Sequence, residues 1–566
     1  MKRTIEWQNE SAILKWFSTV ADKIIKILSA AERVPGKAPE IAVVVLYAVL
    51  HLLMAIVHEP WFDEAQAWQI ARSASLQEIL FEIPHYEGHP QLWHLVLFPF
   101  AKLGAPYELS LSVVTLLVAG TAIALLVFYA PFPRLVKWLL PFTYFLFYQY
   151  GIVARPYCLM ILGFVLLAMT YRKRQKSPGK YVGSLFFMCL TSAYGIVIAG
   201  GLAFVWLIEI LRERTHFFKD KRIRWLAGLL LATVLVMLTL IPRADTYAMY
   251  SPLQWKETNT FLDRMYYMLF ISLPDVLITN VYSNYSFLRN LHFSWSEGLS
   301  ACLLGILLHV YIIKYGKKKK TMWTFYAPFV LFSCAASVIY CTSHHIGIVQ
   351  LLFFFWWWIS LDASEGKDGE ERETEAGWMW KKVPALLGSC MMIVMLLWCV
   401  TAVVSDVKTD FSIGRNLAQF IKEHHLDDYK IMAEWNCLFD DDSKLVAADT
   451  NLCYAACDIA PYFEHNILYN FGEGKDEKNY LSHVIPTEAE NESKYKSWRE
   501  QGYPDVLLMN PDISLVWEAE ELNYRDYVMV YFADAQMPWK ISLNEETAVI
   551  YVRKDLLGEL GLEAAK

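Results

Sequence analysis

The sequence has almost no charge inside its longest apolar runs, and this absence excludes an ordinary soluble protein. Of the 566 residues 55% are hydrophobic and 15% are aromatic, whereas globular domains are nearer half apolar. The apolar excess occurs in blocks of about 20 residues, the length that crosses a bilayer. A soluble core stops growing at roughly 250–300 residues, so this chain has more than one folded unit. We therefore predict a mainly α, polytopic membrane helix bundle.

We expect no cleavable signal peptide, because MKRTIEWQNESAILKW leads into an amphipathic, charged stretch. We expect the first spanning helix to act as its own insertion signal. Cysteine is scarce outside the apolar segments. Seven of the ten cysteines lie within these segments, where we expect them to be small buried hydrophobes. The other three, Cys437, Cys453 and Cys457, allow at most one disulfide and are equally compatible with buried free thiols.

About eleven apolar segments are long enough to be predicted as spans. They cover residues 40–58, 109–130, 135–153, 154–171, 181–194, 195–211, 223–242, 296–314, 322–341, 344–361 and 383–404. One set of connections is basic and includes 172–180, 211–222, 314–320 and the linker 362–382. The positive-inside rule places this set and the N-terminal residues 1–38 in the cytoplasm. Residues 59–108 and 243–294 then form outer loops.

The apolar run 91–104 tests this topology, since counting it as a span would place the lysines of 314–320 outside. Runs of about 10–14 residues are more often interfacial than spanning. We therefore expect a helix lying on the outer surface at 91–104 and a second one at 64–82. Within this scheme the transmembrane domain covers 39–404.

Five polar clusters fall at or just beyond the outer ends of the spans. Ionisable groups at membrane depth are costly and usually mark a site or pathway. The clusters are FDEAQAW (62–68), EGHPQLW (87–93), ARPY (154–157), SAYG (192–195) and SHHIG (343–347). Their position on one predicted side favours a common site.

Each cluster has a structural alternative. Asp63 and Glu64 suit the N-terminus of an interfacial helix, which favours negative charge. Arg155 suits an arginine that extends to the lipid headgroups, and His89 before Pro90 is a common loop ending. An ordinary position at the membrane boundary is the alternative for Tyr194, His344 and His345.

The order of these motifs resembles the GT-C glycosyltransferases, and most of all the bacterial relatives of protein O-mannosyltransferases and aminoarabinose transferases. The resemblance covers about residues 40–361. An acidic pair follows the first span, and HP, an ARPY-like motif, a tyrosine-glycine turn and a late HHxG motif come after it. It implies a membrane enzyme that moves a sugar, with inversion expected, from a polyprenyl-phosphate donor to a glycan, lipid or protein acceptor outside the cytoplasm.

The resemblance and the chemistry together suggest roles for these residues. Asp63, with Glu64 beside it, matches the acidic residue that serves as the base toward the acceptor. Arg155 suits the donor phosphate, because guanidinium binds phosphate oxygens in a bidentate manner. Arg243 is a second phosphate candidate. The remaining substrate-binding candidates are His89, Tyr157, Tyr194, His344 and His345. Ser343 stands where the family often has a basic residue, so this corner departs from the pattern.

No metal is expected to be required, since many enzymes of this class are thought to work without one. The sequence has no compact ligand spacing such as HExxH, and a divalent ion held by carboxylate and imidazole is the weaker alternative. The expected partners are the lipid-linked sugar, its acceptor and membrane lipid, with no nucleic acid.

From residue 405 the composition becomes that of a soluble domain, and we predict an extracytoplasmic α/β domain over 405–566. SIGRNLAQFIKEHH has helical periodicity, and YKIMAEW, DVLLMN, YVMVYFA and TAVIYVRK are typical of short strands. We expect the domain to recognise the acceptor or shield the site.

Two other function classes fit the same topology. A transporter or flippase of lipid-linked saccharides usually has polar residues near mid-membrane and repeated halves, and neither is visible in this sequence. A polysaccharide polymerase or ligase would share the outward-facing site and differ mainly in its acceptor.

Overall fold

The fold is that of a computed structural model. It describes residues 12–213, 219–243, 258–284, 286–363, 376–433, 437–439, 445–448, 454–468, 502, 504–509 and 526–565. Parts of the predicted loop 243–294 and linker 362–382 therefore lie outside the described residues. The side chain of Cys437 and all of Cys453 also lie outside them, so the cysteine alternatives stay predictions.

Within the described residues seven helices are long and apolar enough to cross a membrane. They are Ala38–Val57, Tyr107–Tyr129, Ala193–Arg212, Lys221–Thr239, Trp295–Lys319, Ser343–Asp362 and Lys382–Lys408. At 1.5 Å per residue, 20 residues reach roughly the 30 Å thickness of a hydrocarbon core. The membrane character predicted from composition is thus confirmed, whereas the count of eleven spans and their sidedness stay predictions.

The other predicted spans form shorter or irregular helices. Residues 135–153 contain the helix Arg134–Leu139, a turn at Leu140–Phe142 and a wide π-helix at Tyr144–Ile152. Pro141 lies in the turn, where its missing N–H does not break a helical hydrogen bond. The segments 154–171, 181–194 and 322–341 become the helices Tyr157–Tyr171, Pro178–Cys189 and Met322–Val338.

Four short helices follow the first span. They are Phe62–Ser73, Leu76–Phe81, Pro84–Glu87 and Leu92–Lys102. The prediction of one continuous helix over 64–82 is wrong, because Ser75 caps a new helix: its hydroxyl accepts the Glu78 N–H, and the Glu78 carboxylate accepts the Ser75 N–H. The helix Leu92–Lys102 has 11 residues, roughly 16 Å, which is too short to cross a bilayer.

The remaining α-helices of the described chain are Ala12–Glu32, Phe261–Tyr266, Ser272–Asp275, Gly414–Glu423, Tyr454–Ile459 and Leu557–Leu560. Within the apolar segment Ser343–Asp362 the α-helix covers Gly347–Asp362, and Lys382–Lys408 is the apolar part of the helix Ala376–Lys408. A second π-helix covers Tyr267–Ile271. The N-terminal helix is tied to the last long one by Lys382, whose ammonium lies 2.8 Å from Asp22.

The C-terminal region contains a small sheet, as the alternating sequence patterns predict. The described strands of this region are β1 Ile431–Ala433, β2 Cys437–Phe439, β3 Leu445–Ala448, β4 Val506–Met509, β5 Tyr527–Trp539 and β6 Ser542–Arg553. β2 and β3 pair separately as a two-stranded antiparallel sheet. The main sheet has the order β1-β4-β6-β5, with β1 and β4 parallel and the other neighbours antiparallel. The hairpin β5–β6 is longer than predicted and turns after Trp539, which pairs with Ser542.

The two largest hydrophobic cores among the described residues lie in different parts of the chain. One lies in the helix bundle, and the other joins β1, β4, β5 and β6 to the helix Gly414–Glu423. Met537 and Trp539 of the hairpin belong to the bundle core rather than to the core of their own domain. The tip of the hairpin is therefore inserted among the helices.

Candidate active site

The acidic pair after the first span begins the helix Phe62–Ser73. Helix Ala38–Val57 ends before His58, whose extended backbone conformation stops the helix. Asp63 and Glu64 then lie in the first turn of the next helix, where the aligned backbone N–H groups favour negative charge. Their side chains point to different partners.

Asp63 forms an ion pair with Arg155 of the ARPY motif. Both side chains are largely buried, with 24% of Asp63 and 12% of Arg155 exposed. The two residues lie 92 positions apart in the sequence, so the fold brings them together as the common site predicts. A guanidinium beside a carboxylate stabilises the ionised form of that carboxylate.

Glu64 is buried and accepts two backbone hydrogen bonds. Its Oε1 accepts the Ala154 N–H at 2.6 Å, and its Oε2 accepts the Trp61 N–H at 3.2 Å. The helix-capping alternative therefore describes Glu64 well. Because Ala154 directly precedes Arg155, Glu64 also fixes the segment that carries the arginine.

A buried polar chain supports Glu64 from behind. His58 Nε2 lies 3.6 Å from Glu64 Oε2, and His58 Nδ1 lies 2.8 Å from Asp406 Oδ2. The same Asp406 oxygen accepts a hydrogen bond of 2.8 Å from the Tyr148 hydroxyl. Sequence reasoning missed this chain, because Asp406 is 348 residues from His58 and lies near the end of the last long helix with no motif around it.

Aromatic rings surround the arginine. The Arg155 guanidinium lies 5.8 Å from the Trp61 ring centroid and 6.0 Å from that of Tyr157, distances typical of cation–π contacts. Tyr157 stacks on Tyr150 with ring centroids 4.8 Å apart. The Tyr150 hydroxyl donates to the His344 carbonyl at 2.5 Å, which connects the ARPY motif to the late histidines.

The histidine pair packs directly against the ARPY tyrosine. Tyr157 lies 5.6 Å from the His344 ring and 5.9 Å from the His345 ring. Tyr194 meets the His345 ring edge-on at 4.9 Å. His345 Nδ1 accepts the Thr342 N–H at 3.0 Å, so the ring has a fixed orientation. Four of the predicted site residues are thereby in one group with Arg155.

His89 lies in the loop between the helices Pro84–Glu87 and Leu92–Lys102. It is near enough to His344 and His345 to influence both electrostatically, as Arg155 also does. The contacts therefore join Asp63, Arg155, Tyr157, Tyr194 and the histidine pair, and His89 lies near them.

Arg243 lies elsewhere. Its guanidinium pairs with Glu82 of the outer helices, and both side chains are about half exposed. The residues that follow, 244–257, lie outside the described part of the chain. Among the described contacts Arg243 has none with Asp63 or Arg155, so its phosphate-binding role stays a prediction.

The C-terminal domain closes over the acidic segment. Arg415 binds Glu59 at 3.0 Å and makes two bonds of 3.0 Å to the Glu108 carboxylate, and Tyr462 donates to Glu108 at 2.6 Å. Burial raises the pKa of Glu59 to about 7, although the Arg415 charge opposes this shift. No sequence motif marked Glu59, Arg415 or Tyr462.

A small cavity of about 30 Å³ in the helix bundle is lined by apolar side chains, among them Leu126, Phe164 and Phe355. Its described lining does not include Asp63 or Arg155. The hollow shared by Asp63, His89 and Arg155 therefore stays a prediction. Among the described residues no three His, Cys, Asp or Glu side chains are grouped so as to hold a metal ion.

No protein-family model matches the chain, and no curated protein or solved structure shows significant similarity to it. Function has to be inferred from the side chains and their contacts.

Proposed function

We propose that the chain is a membrane glycosyltransferase of the GT-C type, which transfers a sugar from a polyprenyl-phosphate donor at the extracytoplasmic face. The contact between Asp63 and Arg155 carries this proposal. It joins a proton acceptor and a phosphate ligand in one mostly buried site, and a displacement that releases a phosphate needs both.

In the proposed reaction an acceptor hydroxyl or amine attacks the anomeric carbon. The new bond forms as the bond between that carbon and the phosphate oxygen breaks, and the polyprenyl phosphate leaves with the electron pair. Asp63 takes the acceptor proton, and Arg155 stabilises the charge on the departing phosphate. Attack from the opposite face inverts the anomeric centre.

Binding of the donor has a second effect, which acts on the ion pair between Asp63 and Arg155. A carboxylate paired with an arginine is a poor proton acceptor, because the pairing favours its ionised form. A donor phosphate that engages Arg155 competes with Asp63 for the guanidinium. Asp63 then becomes a better base at the moment when the donor is bound, which limits proton transfer without substrate.

The histidines and tyrosines supply the surroundings of the sugar. Tyr157 and Tyr194 offer aromatic faces, and His89, His344 and His345 offer ring nitrogens for hydroxyl groups. The C-terminal domain contributes Arg415 and Tyr462 to the same region. This supports a role of the domain in shielding the site or admitting the acceptor.

The proposal is tested with purified protein in vesicles supplied with a polyprenyl-phosphate sugar and envelope acceptors. We expect Asp63→Asn to reduce sugar transfer by about 10²-fold or more, since general base catalysis contributes about 10²–10⁴-fold. Asp534→Asn, at an exposed position of β5, is the matched control and should transfer sugar like the wild type. Equal rates for both variants would remove Asp63 as the base. Movement of the intact donor across the bilayer without transfer would favour the transporter.

A further inference from the structure

The β5–β6 hairpin carries two side chains deep into the helix bundle. Its turn presents Trp539 and Lys540, and both are fully buried although they belong to the C-terminal domain. Lys540 has a positive φ of 54°, a conformation that costs a non-glycine residue free energy and persists where surrounding contacts hold it. The tip is therefore tightly constrained by the helices that it enters.

Lys540 makes a buried ion pair with Asp275. Its ammonium lies 3.2 Å from Asp275 Oδ1 and donates to the Asp275 carbonyl at 2.7 Å. It also donates to the Thr279 carbonyl at 3.3 Å. A charge so deeply buried is tolerated only when it is paired and hydrogen-bonded, and Lys540 fulfils both conditions through one short segment.

Asp275 in turn orders the loop that follows it. Its carboxylate accepts the backbone N–H groups of Val281 at 2.7 Å and Tyr282 at 3.0 Å. The Tyr282 hydroxyl then donates to the Ser286 carbonyl at 2.5 Å. The ion pair with Lys540 is thus connected through Asp275 to Val281, Tyr282 and Ser286.

This loop is bonded to the segment that carries the site histidines. Leu288 donates its N–H to the Cys341 carbonyl at 2.7 Å, and Phe287 pairs with Thr342 as an isolated antiparallel bridge. Thr342 is the residue whose N–H holds His345 Nδ1. Hydrogen bonds and short stretches of backbone between them therefore connect the hairpin tip to the histidine pair.

Trp539 reaches the other support of the site. Its indole N–H donates to the Tyr282 carbonyl at 2.6 Å, and its ring meets Tyr144 and Phe145 edge-on at 5.7 and 5.9 Å. These two rings begin the π-helix Tyr144–Ile152. Two tyrosines of the same π-helix donate hydrogen bonds to the site. Tyr148 donates to Asp406, behind Glu64, and Tyr150 donates to the His344 carbonyl.

We propose that the hairpin tip, Trp539 and Lys540, is a positioning element for the candidate active site. The tip contacts both structures that hold the site, the loop 275–291 and the π-helix, and so fixes the distance between the arginine side and the histidine side. The C-terminal domain would then be required for catalysis through this insertion, apart from any contact with the acceptor. The catalytic part of this inference rests on the proposed function, whereas its structural part does not.

The experiment compares Lys540→Met with the wild type in the full-length protein. Methionine keeps much of the side-chain volume but removes the ammonium charge that pairs with Asp275. Lys554→Met, at an exposed lysine of the same domain, is the control. Amide hydrogen exchange reports local opening, and we expect faster exchange in segments 153–158 and 342–346 of Lys540→Met only. In the sugar-transfer assay kcat should fall by at least about tenfold with little change in KM for the donor, because misplaced catalytic groups slow the chemical step.

A second variant keeps the test decisive if Lys540→Met does not fold. Trp539→Phe retains an aromatic ring but loses the hydrogen bond to Tyr282 and part of the ring packing, and it should speed exchange in segment 342–346. Unchanged exchange in both segments of a folded variant would overturn the positioning role, whether or not the wild type transfers sugar. Absence of transfer by the wild type would instead refute the proposed function and leave the exchange result to decide this inference.

Discussion

The buried carboxylate of Asp406 offers a quantitative prediction that depends on contacts across the whole chain. Its Oδ2 lies 2.8 Å from His58 Nδ1 and accepts a second bond of 2.8 Å from Tyr148. All three side chains are buried, so water cannot replace a lost partner. Asp406→Ala leaves both the imidazole and the hydroxyl without this acceptor.

Hydrogen bonds to a charged group contribute about 1.5–3 kcal/mol each. The two bonds therefore predict that Asp406→Ala lowers the free energy of unfolding by about 3–6 kcal/mol. Asp406→Asn keeps one carbonyl oxygen as an acceptor and should lose about half as much. Sugar transfer should fall in the same order, because this chain supports Glu64 and through it the Arg155 segment.

Thermal unfolding of the detergent-solubilised protein, followed by tryptophan fluorescence, measures the effect. Lys408→Ala, an exposed position two residues later, is the control and should unfold at the wild-type Tm. A Tm of Asp406→Ala equal to that of Lys408→Ala would refute the reasoning, because it would mean that the three side chains do not form a buried chain.

Two further predictions concern pH and packing. Burial raises the pKa of Glu59 from 4.5 to about 7, so between these pH values the folded protein holds a proton that the unfolded chain has lost. The stability that this group contributes is complete below pH 4.5 and is lost as the pH rises through about 7. The Tm of the wild type should fall across that range, and the profile of Glu59→Gln should be flatter; parallel profiles would contradict the assignment. A Cβ at Gly347 would collide with the Phe145 ring and lie 2.5 Å from the Tyr150 hydroxyl, so Gly347→Ala should lower stability by about 1–3 kcal/mol and reduce transfer. Gly388→Ala, with no described atom within 4 Å of the new Cβ, should change neither, and equal Tm values for the two alanine variants would exclude the packing argument.

Much of the membrane domain is predictable because long apolar runs have few alternatives to spanning helices. Irregular helices are harder to predict, since a hydropathy pattern does not distinguish the π-helix Tyr144–Ile152 from a regular span. The helix predicted over 64–82 divides because the capping pair Ser75 and Glu78 competes locally with continued helix. Such short-range competition is readable in the sequence once the capping box is considered.

The candidate site likewise contains residues that the sequence predicts and residues that it does not. Asp63, Arg155 and the histidines were predictable, because charge next to an apolar run is costly and stands out. Asp406 and Lys540 were not, because nothing in their local sequence distinguishes them from ordinary residues of a helix end and a hairpin turn. Their importance comes only from partners 348 and 265 residues away.

The most direct test of the account is the affinity of the purified protein for a polyprenyl-phosphate sugar, measured for the wild type, Asp63→Asn and Arg155→Gln. The account predicts that Arg155→Gln binds the donor roughly 10- to 100-fold more weakly, the loss of one charged contact of about 1.5–3 kcal/mol. Asp63→Asn should bind the donor at least as tightly as the wild type, because the Arg155 guanidinium no longer has a competing carboxylate. This variant should nevertheless not transfer the sugar. Donor affinity that is unchanged in Arg155→Gln, or lost in Asp63→Asn, would contradict the proposed exchange of partners at Arg155.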